Sequence, residues 1–201
     1  MTLSEKKAPS ATTKRSRLPL SGVRVADFSW LVAGPLATRL LATLGAQVIR
    51  VESQKRLDQL RQTGPHADGI PGINRSPSFN LLNYSKLSLA LDLSTPRGAD
   101  MARRVITVSD VVVENFAAGV LERLGLGWED VRHDRPDLIY VSSSGLGRAG
   151  PAMHYVAYGM TLHAFSGLTH ATGYAGQPPR PVSGTWADPV TGITMTCAIL
   201  A

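Results

Sequence analysis

Residues with reactive or ligand-binding chemistry are few in this chain, and their spacing decides which chemistries stay open. Gly145-Leu146-Gly147-Arg148-Ala149-Gly150 has the G-x-G-x-x-G spacing with which glycine loops bring backbone N–H groups against a pyrophosphate. The context does not complete that pattern: Pro151 follows at once, no helix start is evident, and His170 and Ala171 stand where an acid for a ribose would be expected. The segment therefore reads as a flexible glycine loop near a site, and an NAD-linked oxidoreductase would rest on it alone. His66, His133, His154, His163 and His170 have no carboxylates at ligand spacing, so no metal site is expected and solvated or locally bonded rings are the reading. No Gly-x-Ser-x-Gly elbow and no Walker-type phosphate loop is present. Cys197, the single cysteine, excludes an internal disulfide and cannot make a zinc site by itself; in an apolar run it reads as a small buried hydrophobe. Asp188-Pro189 reads as an N-cap followed by proline in the first helical turn, which would tie the carboxylate to backbone N–H groups.

The elements that must position these residues follow a repeating order. Residues 23–28 alternate as a first strand, the loop 29–35 breaks at Gly34-Pro35, and Leu36, Arg39, Leu40, Thr43 and Leu44 recur at helical spacing up to Gly45, a left-handed cap. Residues 47–52 read as a second strand, so this first unit is a right-handed crossover and predicts a parallel α/β sheet. Residues 53–80, rich in Gly, Pro, Asn and Gln, predict a long functional loop. A third strand is expected over 87–93, then Thr95-Pro96 as N-cap and first helical residue, a helix over 97–109 and a short strand over 111–113. Asn115 and Phe116 fall at the carboxyl end of that strand, the side on which open α/β sheets hold ligands. A helix over 120–124, a turn over 125–127, a strand over 138–142 and an apolar helix over 190–201 complete the pattern. The last helix has no capping glycine and no basic residue in its final turn, so the expectation is a chain cut off within it.

Bulk properties narrow the classes. With 43% hydrophobic and 18% charged residues among 201, the chain can bury a sizeable core. No window is apolar enough to span a membrane, and the first residues are polar and basic rather than a secretory signal, which favours a cytoplasmic protein. The net charge of +6 sits mostly in the leader, residues 1–18, where Lys6, Lys7, Lys14, Arg15 and Arg17 outweigh Glu5. That excess belongs to a disordered basic tail, and residues 19–201 show no basic stripe interleaved with aromatics, so neither nucleic acid nor membrane is an expected partner.

Ordered motifs then point to a family. Leu20-Ser21-Gly22-Val23-Arg24-Val25-Ala26-Asp27-Phe28-Ser29, Ala33-Gly34-Pro35 and Leu44-Gly45-Ala46-Gln47-Val48-Ile49-Arg50-Val51-Glu52 resemble the opening of the class III CoA-transferases, the formyl-CoA transferase and carnitine/bile-acid family. Asn83-Tyr84-Ser85-Lys86, Asp110-Val111-Val112-Val113-Glu114-Asn115-Phe116, Val120-Leu121-Glu122-Arg123, Ser144 to Pro151 and Ala187-Asp188 continue the resemblance in order. The resemblance implies a Rossmann-like parallel sheet with flanking helices, here the amino-terminal part of a large domain, incomplete at its carboxyl end, in a dimer of two threaded subunits about twice this long. It implies transfer of CoA between an acyl-CoA and a carboxylic acid, with coenzyme A as substrate and no permanently bound cofactor. Carried over by motif, the CoA contacts fall on Ala33, Gly34, Pro35, Lys86, Asn115, Phe116 and Arg123; a Gly-Pro turn and cationic side chains suit a phosphate-bearing ligand. For Arg123 the plainer reading is a surface charge at a helix end, and for Asn115 a residue capping the strand exit.

The reaction that the resemblance implies needs an exposed carboxylate to attack the thioester. Where the family has a turn resembling Thr-Gly-x-x-Asp-Gly-Pro-Pro, this chain reads Thr172-Gly173-Tyr174-Ala175-Gly176-Gln177-Pro178-Pro179, with Gly176 in the acid's place. The racemase branch keeps an acid upstream, where this chain has Tyr158-Gly159 before Ser166-Gly167. Trp30 and Val32 also replace polar residues of the first loop. Glu114 and Asp92 match structural positions. The catalytic residue is therefore unassigned, and two readings remain: a transferase whose acid comes from elsewhere, acting as a homodimer, or a CoA-binding or structural subunit of a heteromer with a homologous chain.

Overall fold

Four short β-branched runs make the centre of the molecule because their alternate residues are apolar on both sides, which suits a parallel sheet covered on two faces. The computed structural model describes residues 17–201; the leader read over 1–18 lies, as far as residue 16, outside the described residues. The elements are β1 (Arg24–Asp27), α1 (Ala33–Thr43), β2 (Gln47–Glu52), α2 (Pro77–Asn83), β3 (Lys86–Ala90), α3 (Pro96–Thr107), β4 (Val111–Glu114), α4 (Val120–Arg123), α5 (Trp128–Val131), β5 (Ile139–Ser142), α6 (Gly159–Phe165), α7 (Leu168–Ala171) and α8 (Ala187–Leu200). All strand pairs are parallel, in the order β3-β2-β1-β4-β5. The chain thus winds one way from β1 and then returns to place β4 on the other side of β1. That reversal is a topological switch point, and its crevice opens at the carboxyl ends of β1 and β4.

Period-two alternation divides the core between the faces. Val25, Val48, Val111 and Val113 pack with Leu41 and Ala42 of α1 on one face. Ala26, Phe28, Val51 and Val112 pack with Ala102 and Ile106 of α3 and with Leu121, Leu126 and Val131 on the other.

Local signals account for the element ends. Leu44 caps α1 and Gly45 follows at φ 105°, where any side chain would be strained and would also meet Leu18. Thr95 caps α3 through its hydroxyl, which accepts from Gly98 N–H at 3.1 Å, with Pro96 as the first helical residue.

The structure departs from the sequence-based expectations in several places. Ala33, Gly34 and Pro35 are the buried first turn of α1 and not part of the loop before it. The stretch 53–80 is not all loop: it holds two short 3-10 turns and most of α2, started by Ser76. β3 begins and ends earlier than expected and lies exposed at the sheet edge. The short α5 was not foreseen. Cys197 is exposed on α8 and not buried, because the helix turns that face away from α1.

Candidate functional site

Below the crevice lies a buried polar lattice built by side chains of β1, α1, β2, α2 and β3. Asp27, at the end of β1 and fully buried, accepts from Ser29 N–H at 2.9 Å, Ser29 Oγ at 2.5 Å, Thr38 Oγ1 at 2.7 Å and Lys86 Nζ at 3.0 Å. Burial alone would raise this carboxyl, but Lys86, Arg50 and the two hydroxyls outweigh it and hold Asp27 below the usual carboxylate range. Lys86 is shifted downward as well, since burial of its ammonium outweighs its attraction to Asp27. Of the two directions the one for Asp27 is fixed by geometry, because four donors converge on it.

Lys86 also donates to Pro35 O and Asn83 Oδ1, each at 3.0 Å. An ammonium has three hydrogens, so all are engaged, and Lys86 anchors the first turn of α1 rather than facing the crevice. Arg50 does the same for the loop above: it donates to Ser29 O at 2.9 Å and to Asp58 Oδ2 at 2.7 Å, and Asp58 in turn accepts Leu31 N–H at 3.1 Å. These contacts hold Leu31 at φ 61°, a left-handed backbone that an unbranched loop would not keep.

The crevice walls come from the exits of β1 and β4. Asn115 binds the backbone of Trp30 twice, accepting its N–H and donating to its carbonyl, both at 2.8 Å. The Trp30 ring meets Phe116 edge to face at 5.6 Å and lies under the Arg56 guanidinium at 5.4 Å. Gly34 is required here, since a Cβ would run into Ser29 and sit 3.4 Å from Asn115 Cγ. The first turn of α1 has no side-chain cap, so its amino end faces this crevice with unpaired backbone donors. Arg123 stands exposed in the last turn of α4. The structure thus brings Ala33, Gly34, Pro35, Asn115 and Phe116 to one opening, while Lys86 lies beneath it.

The glycine loop closes the far side. Arg148 donates to Glu114 Oε1 at 2.8 Å and also pairs with Glu122, while Glu114 accepts Phe116 N–H at 2.8 Å and the Ser142 hydroxyl. Burial of Glu114 wins over these donors and pushes its carboxyl up to about 7. No helix begins directly after Gly150, since the next one starts at Gly159. The Arg148 pairing was not legible beforehand, because it joins residues far apart in sequence.

A second group collects where α8 starts. Asp188 does not cap the helix: Trp186 precedes the first turn without a side-chain bond, and Asp188 lies inside that turn, half-buried. Burial raises its carboxyl above the usual range, with Thr185 and His163 acting against it. His163 is 3% exposed and accepts Ala187 N–H on Nε2 at 3.2 Å, so the ring and not Asp188 serves the helix end. Gly176 sits at φ 74° in a turn with open space around it, beside a shallow hollow of about 250 Å³ lined by Thr172, Tyr174 and Gln177 among others. Among the described residues no three His, Cys, Asp or Glu side chains come together as a metal site would require.

Comparison with known proteins gives this arrangement a context. The sequence profile of CoA-transferase family III matches residues 20–201. The succinyl-CoA:glutarate CoA-transferase of Mus musculus is 39% identical over 188 residues, covering 92% of this chain and 42% of that protein. The acetyl-CoA:oxalate CoA-transferase of Acetobacter aceti is 35% identical, covering 94% of this chain and 47% of the relative. The crystal structure of a CaiB/BaiF family protein from Brucella suis superposes with a TM-score of 0.84 at 32% identity, over 92% of this chain and 49% of that one. The chain therefore spans under half the length of these relatives.

Proposed function

The chain belongs to CoA-transferase family III, and from that premise we propose that the whole protein moves CoA from an acyl-CoA to a free carboxylic acid, with the CoA phosphates held at the β1/β4 crevice. One observation carries this placement: the uncapped amino end of α1 opens onto the switch point between Trp30, Asn115 and Phe116. A helix amino end with free N–H groups attracts anions, and the exposed guanidinium of Arg56 over the Trp30 ring adds positive charge at this edge, with Arg123 of α4 as the further cation of this reading. In this reading Ala33, Gly34 and Pro35 present backbone to the ligand, Asn115 fixes the loop that carries Trp30, and Phe116 with Trp30 forms an apolar wall. Lys86 acts one layer down, through Pro35 O and Asp27. Coenzyme A is a substrate here and not a resident group.

The two transferases named above carry succinyl-CoA, acetyl-CoA, glutarate and oxalate in their names, so a panel of succinyl-CoA and acetyl-CoA against glutarate, oxalate and succinate tests the reaction class. Appearance of a new acyl-CoA by mass spectrometry is the expected result. Arg123→Ala is expected to weaken CoA binding by calorimetry about fivefold to tenfold, the worth of one exposed charge-assisted contact. CoA binding with no transfer across the panel would reduce the protein to a CoA-binding subunit.

A further inference from the structure

We infer that Arg148 is a proton-gated brace of the crevice: paired with ionised Glu114 it holds the glycine loop and Phe116 in place for the ligand, and it lets go when Glu114 takes up a proton. The inference rests on the placement of CoA at the β1/β4 crevice. Its first support is the position of the loop. Residues 144–150 follow β5 and so stand at the same edge of the sheet as Asn115 and Phe116, which follow β4. The Ser144 hydroxyl donates to Gly147 O at 2.6 Å and Gly150 O accepts Met153 N–H, bonds that close within the loop. Among the described residues, the hydrogen bonds that tie 144–150 to the rest of the molecule are those of Arg148, to Glu114 at the end of β4 and to Glu122 on α4. Gly147 and Gly150, on either side of Arg148, give the backbone freedom to move once those bonds are lost.

A second support is the way Glu114 is loaded. It is fully buried, and its Oε1 accepts from Arg148 at 2.8 Å and from the Ser142 hydroxyl, while Oε2 accepts Phe116 N–H at 2.8 Å. A carboxylate out of water is tolerated only with such donors in place, so the ionised form requires Arg148. The protonated form does not: its hydrogen needs an acceptor, and on Oε1 it would take the place of the guanidinium. Glu122, the other partner of Arg148, is nearly half exposed and offers the guanidinium a resting place away from the sheet. Phe116 feels the change through its N–H, and Trp30 through the edge-to-face contact of the two rings. Both residues act on the ligand as the crevice wall, whereas Arg148 and Glu114 act through them and are positioning residues. The proton comes from water and returns to it.

The charges around Glu114 make this exchange accessible. The groups that bear on it are Arg148 from the loop, Glu122 from α4 and, from β5, the Ser142 hydroxyl and the Tyr140 phenol, whose proton burial and the nearby carboxylates retain. One cation thus serves two carboxylates. Burial, helped by repulsion from Glu122, outweighs the Phe116 N–H and Arg148 and brings Glu114 to about 7, within the range of ordinary changes of pH.

CoA binding to the whole protein, followed by calorimetry across this range, is expected to weaken about threefold to tenfold between about pH 8 and pH 6, the span that one group titrating near 7 allows, and to release protons to the buffer. The phosphates of CoA titrate alike with every variant, so the measure is the difference from Glu114→Gln, which is expected to lack the additional pH dependence. Glu122→Gln, a change at a partly exposed side chain, is expected to move the midpoint to lower pH by removing the repulsion on Glu114. Backbone hydrogen exchange over 144–150 in the unligated protein, corrected for the intrinsic effect of pH, is expected to quicken below about pH 7 in the parent and to be fast at every pH in Arg148→Met. The same pH dependence of CoA binding in parent and Glu114→Gln, or loop exchange unaltered by Arg148→Met, overturns the brace and leaves the crevice reading standing. Absence of CoA binding at every pH overturns the crevice reading and the brace's coupling to it together.

Discussion

Glu114 shows how burial sets the behaviour of a single side chain. Its carboxyl is raised to about 7 although Arg148 lies 2.8 Å away, so removal from water outweighs the pairing. The folded chain keeps a proton that the unfolded chain releases above its ordinary value of 4.5. The stabilisation that this protonated form provides is full below that value and lost as pH rises through about 7. Over that window the loss attributable to Glu114 is about 3 kcal/mol, and Glu114→Gln is expected to flatten this limb of a plot of unfolding free energy against pH. The opposite outcome holds at Asp27, whose carboxyl is kept below the usual range with the help of Lys86. Replacing Lys86 by methionine leaves Asp27 charged and buried, which is expected to cost about 3–5 kcal/mol in urea unfolding, with Asp27→Asn in the same chain recovering part of the loss. Asn115 and Phe116 stood out in the sequence because they follow a strand, and Gly34 because it belongs to the Gly-Pro break, and the three do meet at one opening. Lys86 was legible as important but not as buried. A lysine motif carries charge, whereas the acceptors that enclose it come from Asp27, Pro35 and Asn83, which only the fold assembles.

At the scale of elements, period-two strands and capping residues were readable because their causes are local. Residues 47–52 match β2 in full, and Thr95-Pro96 starts α3 as its types require. The end of α8 nearest Asp188 was misread for a reason of the same kind: Asp-Pro satisfies a local rule for an N-cap, but His163 from another helix takes up the Ala187 N–H, and the helix begins earlier. How α8 meets α1 depends on one position. At Gly192 a Cβ would press on Ala33 O and Leu36, so the backbones approach closely only with glycine there. Gly192→Leu is expected to push α8 from α1 and to destabilise the protein by about 1–3 kcal/mol. Thermal denaturation checks this, and an unchanged midpoint would show that the two helices tolerate the separation.

Across the whole molecule, apolar surface is unevenly distributed. The β3-β2-β1-β4-β5 sheet and its two layers of helices enclose the core, but Tyr155, Phe165, Tyr174, Trp186, Val190 and Ile193 are all more than half exposed, and all come from the last quarter of the chain. Solitary exposed apolar residues are ordinary on a protein surface, whereas a run of large ones on neighbouring elements promotes association. α8 shows the imbalance most clearly: Met195 is buried against Ala33 and Ala37 of α1, while Val190, Ile193 and Leu200 on its other sides face solvent. A helix that is apolar all round is stable only when enclosed on every side. The 201-residue chain produced alone is therefore expected to self-associate and to enhance the fluorescence of a hydrophobic dye. Replacing Phe165, Trp186 and Ile193 by serine, glutamine and threonine is expected to reduce both signals, because none of these side chains contributes to the buried clusters of the sheet. Sedimentation velocity of the two chains at equal concentration decides the matter: a monodisperse, dye-silent parent chain would show that this surface is too dispersed to drive association.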